Sequence, residues 1–109
     1  MARYIQLNIS ATAAYSSDQA IGCYCNVTEN ESIEEAISSA CLYFGGLDIV
    51  VHSAGLAISK AITHTSEADW ELLQGVLVKG QFLLSKAAAE IMRKQNLGGN
   101  IVNIASKNG

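Results

Sequence analysis

The stretch Leu47-Asp48-Ile49-Val50-Val51-His52-Ser53-Ala54-Gly55 decides how this chain is read. Ile49, Val50 and Val51 are consecutive and β-branched, so a strand over Leu47 to His52 is apolar on both faces. Such a strand belongs in the middle of a parallel sheet, covered from both sides. Ser53-Ala54-Gly55 breaks it, and Gly55 to Thr65 reads as a loop.

Upstream, a helix is expected over Ser32 to Tyr43. Ile33, Ala36, Ile37, Ala40 and Cys41 share one face, and Glu34, Glu35, Ser38 and Ser39 the other. Thr28 stands three residues before Glu31, the spacing of a capping box, and Gly45-Gly46 supplies the stop. Ile21 to Cys25 reads as a strand. Tyr4 to Ile9 reads as another, because Ile5, Leu7 and Ile9 alternate with Gln6 and Asn8. Ala11 to Gln19 is either a short helix or a loop.

Downstream, Ser66 with Asp69 three residues on marks a helix start. The helix should run from about Glu67 to Gln95 and stop at Gly98-Gly99. A last strand follows over Ile101 to Ala105. Trp70, Leu73, Leu77, Leu84, Ala88 and Ile91 form an apolar stripe on the helix, while Val76, Val78, Phe82 and Leu83 lie on other faces. A helix apolar over so much of its circumference is buried on more than one side. Either a large core gathers around Trp70, or a second copy packs against Glu67 to Gln95 in a homo-oligomer. Gly75 and Gly80 permit a close approach there, at about 1 kcal/mol each relative to alanine. Strands alternating with helices make an α/β fold with a parallel sheet, one domain over residues 1–109 with no internal repeat or linker.

Composition narrows the function. The chain is 50% hydrophobic with 7 basic and 10 acidic residues and a net charge of −3. No excess positive charge is available for a phosphate backbone, so nucleic acid is not an expected partner. No apolar run approaches bilayer length, and the residues after Arg3 form no signal-type apolar segment, so a cytoplasmic location and no membrane partner are expected. Cys23, Cys25 and Cys41 read as reduced thiols, and no metal site is expected, because His52 and His64 lack ligand spacing to them.

Ligands of open parallel sheets bind outside the carboxyl ends of the strands. The candidates are Asn26-Val27-Thr28, His52-Ser53-Ala54-Gly55 and Ser106-Lys107-Asn108. From Gly22 to Gly109, the segments CNVT, FGGLDIVVHSAG, DWELLQGVLVKGQFLLSKAAAEIM and GGNIVNIASKNG together resemble the middle of a short-chain dehydrogenase/reductase. Leu47 to Gly55 looks like that family's strand ending in Asn-Asn-Ala-Gly, and Asn100 to Ser106 like the strand delivering its catalytic serine. The Ile-Ala-Ser-Lys-Asn ending further resembles the dehydrogenase part of bifunctional rhamnulose-1-phosphate aldolase/alcohol dehydrogenases.

The resemblance implies a three-layer Rossmann-like parallel sheet with helical crossovers, here truncated at both ends. It implies NAD or NADP as cofactor and hydride exchange between an alcohol and a carbonyl. Ser106 falls on the catalytic serine, and Asn26, Val27, Ser53, Ala54 and Gly55 on cofactor-binding positions. The family's tyrosine passes a proton, with its pKa lowered by a lysine four residues later, because a free phenol titrates near pH 10.

Several parts of that pattern are absent. There is no Gly-x-x-x-Gly-x-Gly turn, and the first strand and helix of the fold are missing with it. Four residues after Tyr4, Tyr15, Tyr24 and Tyr43 stand Asn8, Gln19, Thr28 and Leu47, so no Tyr-x-x-x-Lys pair exists. The family's acidic residue near adenine falls on Asn26, its helix asparagine on Leu77, and its Asn-Asn pair on His52-Ser53.

The expectation is therefore a fragment of an NAD(P)-dependent alcohol dehydrogenase/reductase that binds no cofactor and is inactive alone, with Ser106 capping a turn and His52 hydrogen-bonded in the core. The alternatives are a non-catalytic self-associating α/β module, or a residual nucleotide binder using Asn26, Ala54 and Gly55. In the parent fold a further strand fills the sheet's inner edge. Tyr4 to Ile9 or a second chain is expected to fill that gap, since buried unpaired backbone groups are costly.

Overall fold

A computed structural model describes residues 4–5 and 20–106 of the chain. The central element is β2 (Ile49–His52), as the β-branched run predicts. It pairs in parallel with β3 (Asn100–Asn103), with Ile49 opposite Asn100 and His52 opposite Asn103. Its other edge pairs in parallel with β1 (Tyr4–Ile5), with Tyr4 opposite Ile49. The inner edge is thus filled by the start of the expected N-terminal strand. The rest of that strand, and Ala11 to Gln19, lie outside the described residues.

Two helical stretches pack on the sheet. The first is α1 (Asn30–Phe44), closed by Gly45 in the left-handed region at φ 86°, as Gly45-Gly46 predicts. The second stretch, Glu67 to Gln95, comprises α2 (Glu67–Gln74), a π turn (Gly75–Lys79) and α3 (Gly80–Gln95). The expected Ser66–Asp69 capping box is formed in both directions. Ile33, Ile37, Leu47, Val50, Leu84 and Ala88 form the centre of the core. Burial alternates along β2: Val50 and His52 are buried, whereas Ile49 and Val51 are half-buried. Val102, opposite Val51, is 43% exposed. Among the described residues the helices cover the Val50 face, so two layers of the α/β architecture are on view.

The structure corrects several local expectations. Ile21 to Cys25 is not a strand. A strand needs a hydrogen-bonded neighbour, and the described sheet has the order β1-β2-β3 with none beside this segment. Thr28 does not cap α1, whose N-cap is Glu29. Its backbone N–H and hydroxyl both donate to Asn26 Oδ1, at 3.0 and 2.7 Å, which commits the threonine to a turn before the helix. The long helix stops at Asn96, itself left-handed at φ 56°, before Gly98-Gly99 is reached. The last strand covers Asn100–Asn103, not Ile101 to Ala105.

Trp70 is not a core residue, being 54% exposed. The reason is reach. At 1.5 Å per residue, Glu67 to Gln95 spans about 43 Å, whereas a four-residue strand spans about 13 Å. Only the C-terminal half of the helix lies over the sheet, and there Gly80, Leu84, Ala88 and Met92 are buried. The N-terminal half overhangs the sheet, and none of its residues is buried.

The two helical glycines meet a loop of the same chain. A Cβ on Gly80 would stand 2.8 Å from Val27 Cγ2 and 3.1 Å from the Val27 carbonyl oxygen, and one on Gly75 would stand 3.4 Å from Thr28 Cγ2. In a regular α-helix residues five apart point about 140° away from each other. The π turn removes that offset: Gly80 N–H donates to Gly75 O, stacking one glycine on the other. Both glycines therefore face the Val27-Thr28 loop.

Gly80→Ala is expected to lower stability by about 1–3 kcal/mol through overpacking against the Val27 backbone. Gly75→Ala, at ordinary contact distance, should be neutral or gain up to about 1 kcal/mol from helix propensity. Urea unfolding of the two variants beside the parent chain checks this contrast.

Candidate active site

The carboxyl ends of β2 and β3 lie level because His52 and Asn103 are in register. The ladder continues one step further, as Ile104 N–H donates to His52 O at 2.9 Å. Ser53-Ala54-Gly55 leaves the end of β2, and Ser106 follows the end of β3 by three residues. Both segments therefore emerge at one edge of the sheet. The loop Asn26-Val27-Thr28 joins them there, because α1 runs from this edge back toward the start of β2.

Each candidate residue offers something different. Ser53 and Gly55 are exposed, and Ala54 is half-buried against the core. A Cβ on Gly55 would meet nothing within 4 Å, so the backbone there is open to a flat ligand. Ser106 is exposed at the same edge. Val27 is only 5% exposed and turns its side chain inward onto Gly80.

The Asn26 side chain is already occupied. Its Oδ1 accepts twice from Thr28, and its Nδ2 donates to Glu29 Oε1 at 3.1 Å. Its backbone N–H donates to the buried Ser32 Oγ at 2.6 Å. These bonds build the turn that starts α1, a role that spacing alone did not reveal. Lys60 Nζ lies 2.7 Å from Asp69 Oδ2 and ties the loop after β2 to the start of α2. The Lys60 ammonium, followed by the Ser66 backbone N–H, holds the Asp69 carboxyl below the usual carboxylate range.

His52 is a further polar group at this edge. It is 3% exposed, on the same face of β2 as Val50, and its Nε2 has no hydrogen-bond partner among the described residues. The expected core position holds, but Nε2 lacks the hydrogen bond expected of a core histidine. Burial pushes its pKa below the ordinary histidine value. Cys25 is half-buried, and burial pushes its thiol up. Among the described residues no cluster of His, Cys, Asp or Glu has metal-binding geometry, and no helix is long and apolar enough to cross a membrane.

A groove of about 740 Å³ runs from Thr28 along the overhanging half of the long helix. Thr28, Trp70, Gln74, Gly75, Val78 and Phe82 line it, with Glu71 and Lys79 also on its wall.

Comparison with known proteins agrees with this geometry. The family model described as enoyl-(acyl carrier protein) reductase matches residues 4–109. The uncharacterized oxidoreductase YuxG of Bacillus subtilis is 41% identical over 95 residues, covering 87% of this chain and 14% of that protein. A short-chain dehydrogenase/reductase of Armillaria gallica is 33% identical over 103 residues, covering 93% of this chain and 40% of its own length. The crystal structure of a short-chain type dehydrogenase/reductase from Mycobacterium marinum superposes with a TM-score of 0.77 at 32% identity, covering 80% of this chain and 35% of that one. The chain therefore spans well under half the length of these relatives. The parallel sheet, the serine after β3, the small-residue turn after β2 and these matches place the chain in the short-chain dehydrogenase/reductase family.

Proposed function

We propose that this chain is the middle segment of an NAD(P)-dependent alcohol dehydrogenase/reductase of the cytoplasm, and that it is inactive by itself. The observation that supports this reading is the convergence of Ser106 and Ser53-Ala54-Gly55 at one sheet edge. There the Ser106 hydroxyl would hold the substrate oxygen, and the open backbone at Gly55 would let a flat ring approach.

The residues present do not suffice for the whole dinucleotide. The chain has no glycine-rich turn to cradle a pyrophosphate, and the Asn26 side chain is spent on its own turn. No Tyr-x-x-x-Lys pair is available to move the proton. The finer likeness, to the dehydrogenase part of rhamnulose-1-phosphate aldolase/alcohol dehydrogenases, rests on the sequence from Ile104 to Asn108 and suggests a hydroxylated small molecule as substrate. Titrating the purified chain with NADH and NADPH by calorimetry should give no binding heat at millimolar cofactor. An alcohol-dependent reduction of NAD or NADP by the chain alone would overturn the reading.

The overhanging helix supports a second role, self-association. Trp70, Val78 and Phe82 are 54–61% exposed along the groove. An isologous dimer requires that residue i meet residue j and j meet i. An antiparallel pairing of two copies of this exposed stretch would meet that requirement, with Trp70, Val78 and Phe82 in the seam. In sedimentation the chain should dimerise, and Trp70→Ala should weaken association about 30-fold or more, as for a central aromatic anchor. A clean monomer at high concentration would exclude this role.

A further inference from the structure

We propose that His52 is an acid-sensitive latch that holds the carboxyl end of β2, and with it Ser53-Ala54-Gly55, in place only while its imidazole is neutral. The proposal concerns the physical behaviour of this edge and stands whether or not the chain takes a coenzyme.

A side chain 3% exposed with an unpartnered Nε2 can carry a charge only if something compensates it. Among the described residues, no charged side chain packed against β2 does. On β3 the residues sharing its face are Ile101 and Asn103. On the long helix the buried positions are Gly80, Leu84, Ala88 and Met92, while Lys79, Lys86, Glu90, Arg93 and Lys94 are exposed. On α1 the buried positions are Ser32, Ile33, Ala36, Ile37 and Ala40, while Glu31, Glu34, Glu35 and the N-cap Glu29 are exposed. Among the described residues the titratable side chains beside this core are the thiols Cys25 and Cys41, which carry no negative charge in acid, and Asp48, half-buried just before β2 at the end opposite His52. On β1 the described pairings engage Ile49 and Val50, not His52.

The His52 carbonyl accepts the Ile104 N–H, so its backbone joins the two strand ends that lead to Ser53 and Ser106. Protonation requires the imidazole to reach water, and that movement pulls on this bond. The unfolded chain takes up the proton near pH 6.5, whereas the folded chain resists it because burial disfavours the charged ring. Stability is therefore complete above about pH 6.5 and declines as the pH falls through the lower folded value.

The test is proton NMR on the full chain, with His64→Gln used to assign the imidazole resonances. His52 should stay neutral below its ordinary value of about 6.5. The Ile104 amide should lose protection against hydrogen exchange as the pH is lowered from 7 to 5, by tenfold or more after correction for the intrinsic rate. In His52→Asn, which keeps a polar group of similar reach but does not titrate, that loss should vanish. Titration of His52 at its ordinary value would overturn the proposal, and so would the same acid loss of Ile104 protection in the variant. If His52→Asn does not fold, the titration of the parent chain decides alone.

Discussion

The backbone of the central strand has to be hydrogen-bonded along its whole buried length, and much of the architecture follows from that demand. Asn100 N–H donates to Asp48 O, and Ile104 N–H donates to His52 O, so β3 serves one edge beyond both ends of the formal ladder. β1 serves the other edge at Ile49 and Val50. At Leu47, which is fully buried, the Gln95 amide takes the place of a strand. Its Oε1 accepts the Leu47 N–H at 2.7 Å, and its Nε2 donates to the Leu47 carbonyl at 2.6 Å. One side chain at the end of the long helix thus satisfies both polar groups of a core residue 48 positions away. A buried donor or acceptor left unsatisfied costs about 1–3 kcal/mol, so this clamp sets where the helix ends relative to the sheet.

What could be read from residues alone was local chemistry. The β-branched run at Ile49-Val50-Val51 identified the central strand, Ser66 with Asp69 identified a helix start, and Gly45 a helix stop. Each signal depends on neighbours in sequence. Ile21 to Cys25 has strand-like composition, but strand formation depends on a partner elsewhere. Trp70 lies on an apolar stripe, but periodicity carries no information about where a sheet ends beneath a helix. The roles of Gly75 and Gly80 required knowing that Val27-Thr28 passes beside them.

The candidate site was legible to a similar degree. Ser53, Ala54, Gly55 and Ser106 emerge together because strand ends in a parallel sheet share an edge. Asn26 lies at this edge, but its commitment to Thr28, Glu29 and Ser32 is not legible in the sequence, since the hydrogen-bond partners of an amide cannot be counted from spacing. His52 differs again. Its position was readable as a strand end, while its unpartnered nitrogen depends on everything that surrounds it.

The widened turn at Gly75–Lys79 also bears on how this helix tolerates changes in length. It accommodates one more residue than an α turn would between the same two faces. The five-residue spacing of its glycines and the extra residue form a matched pair. A sequence with one residue deleted between them would place its glycines four apart, where an ordinary α turn aligns them. Single-residue length variation at this point can therefore be absorbed by switching helix type, with the flanking faces kept in phase. The same deletion within α3, where regular turns set the phase of Leu84, Ala88 and Met92, would rotate the remaining buried positions away from the sheet.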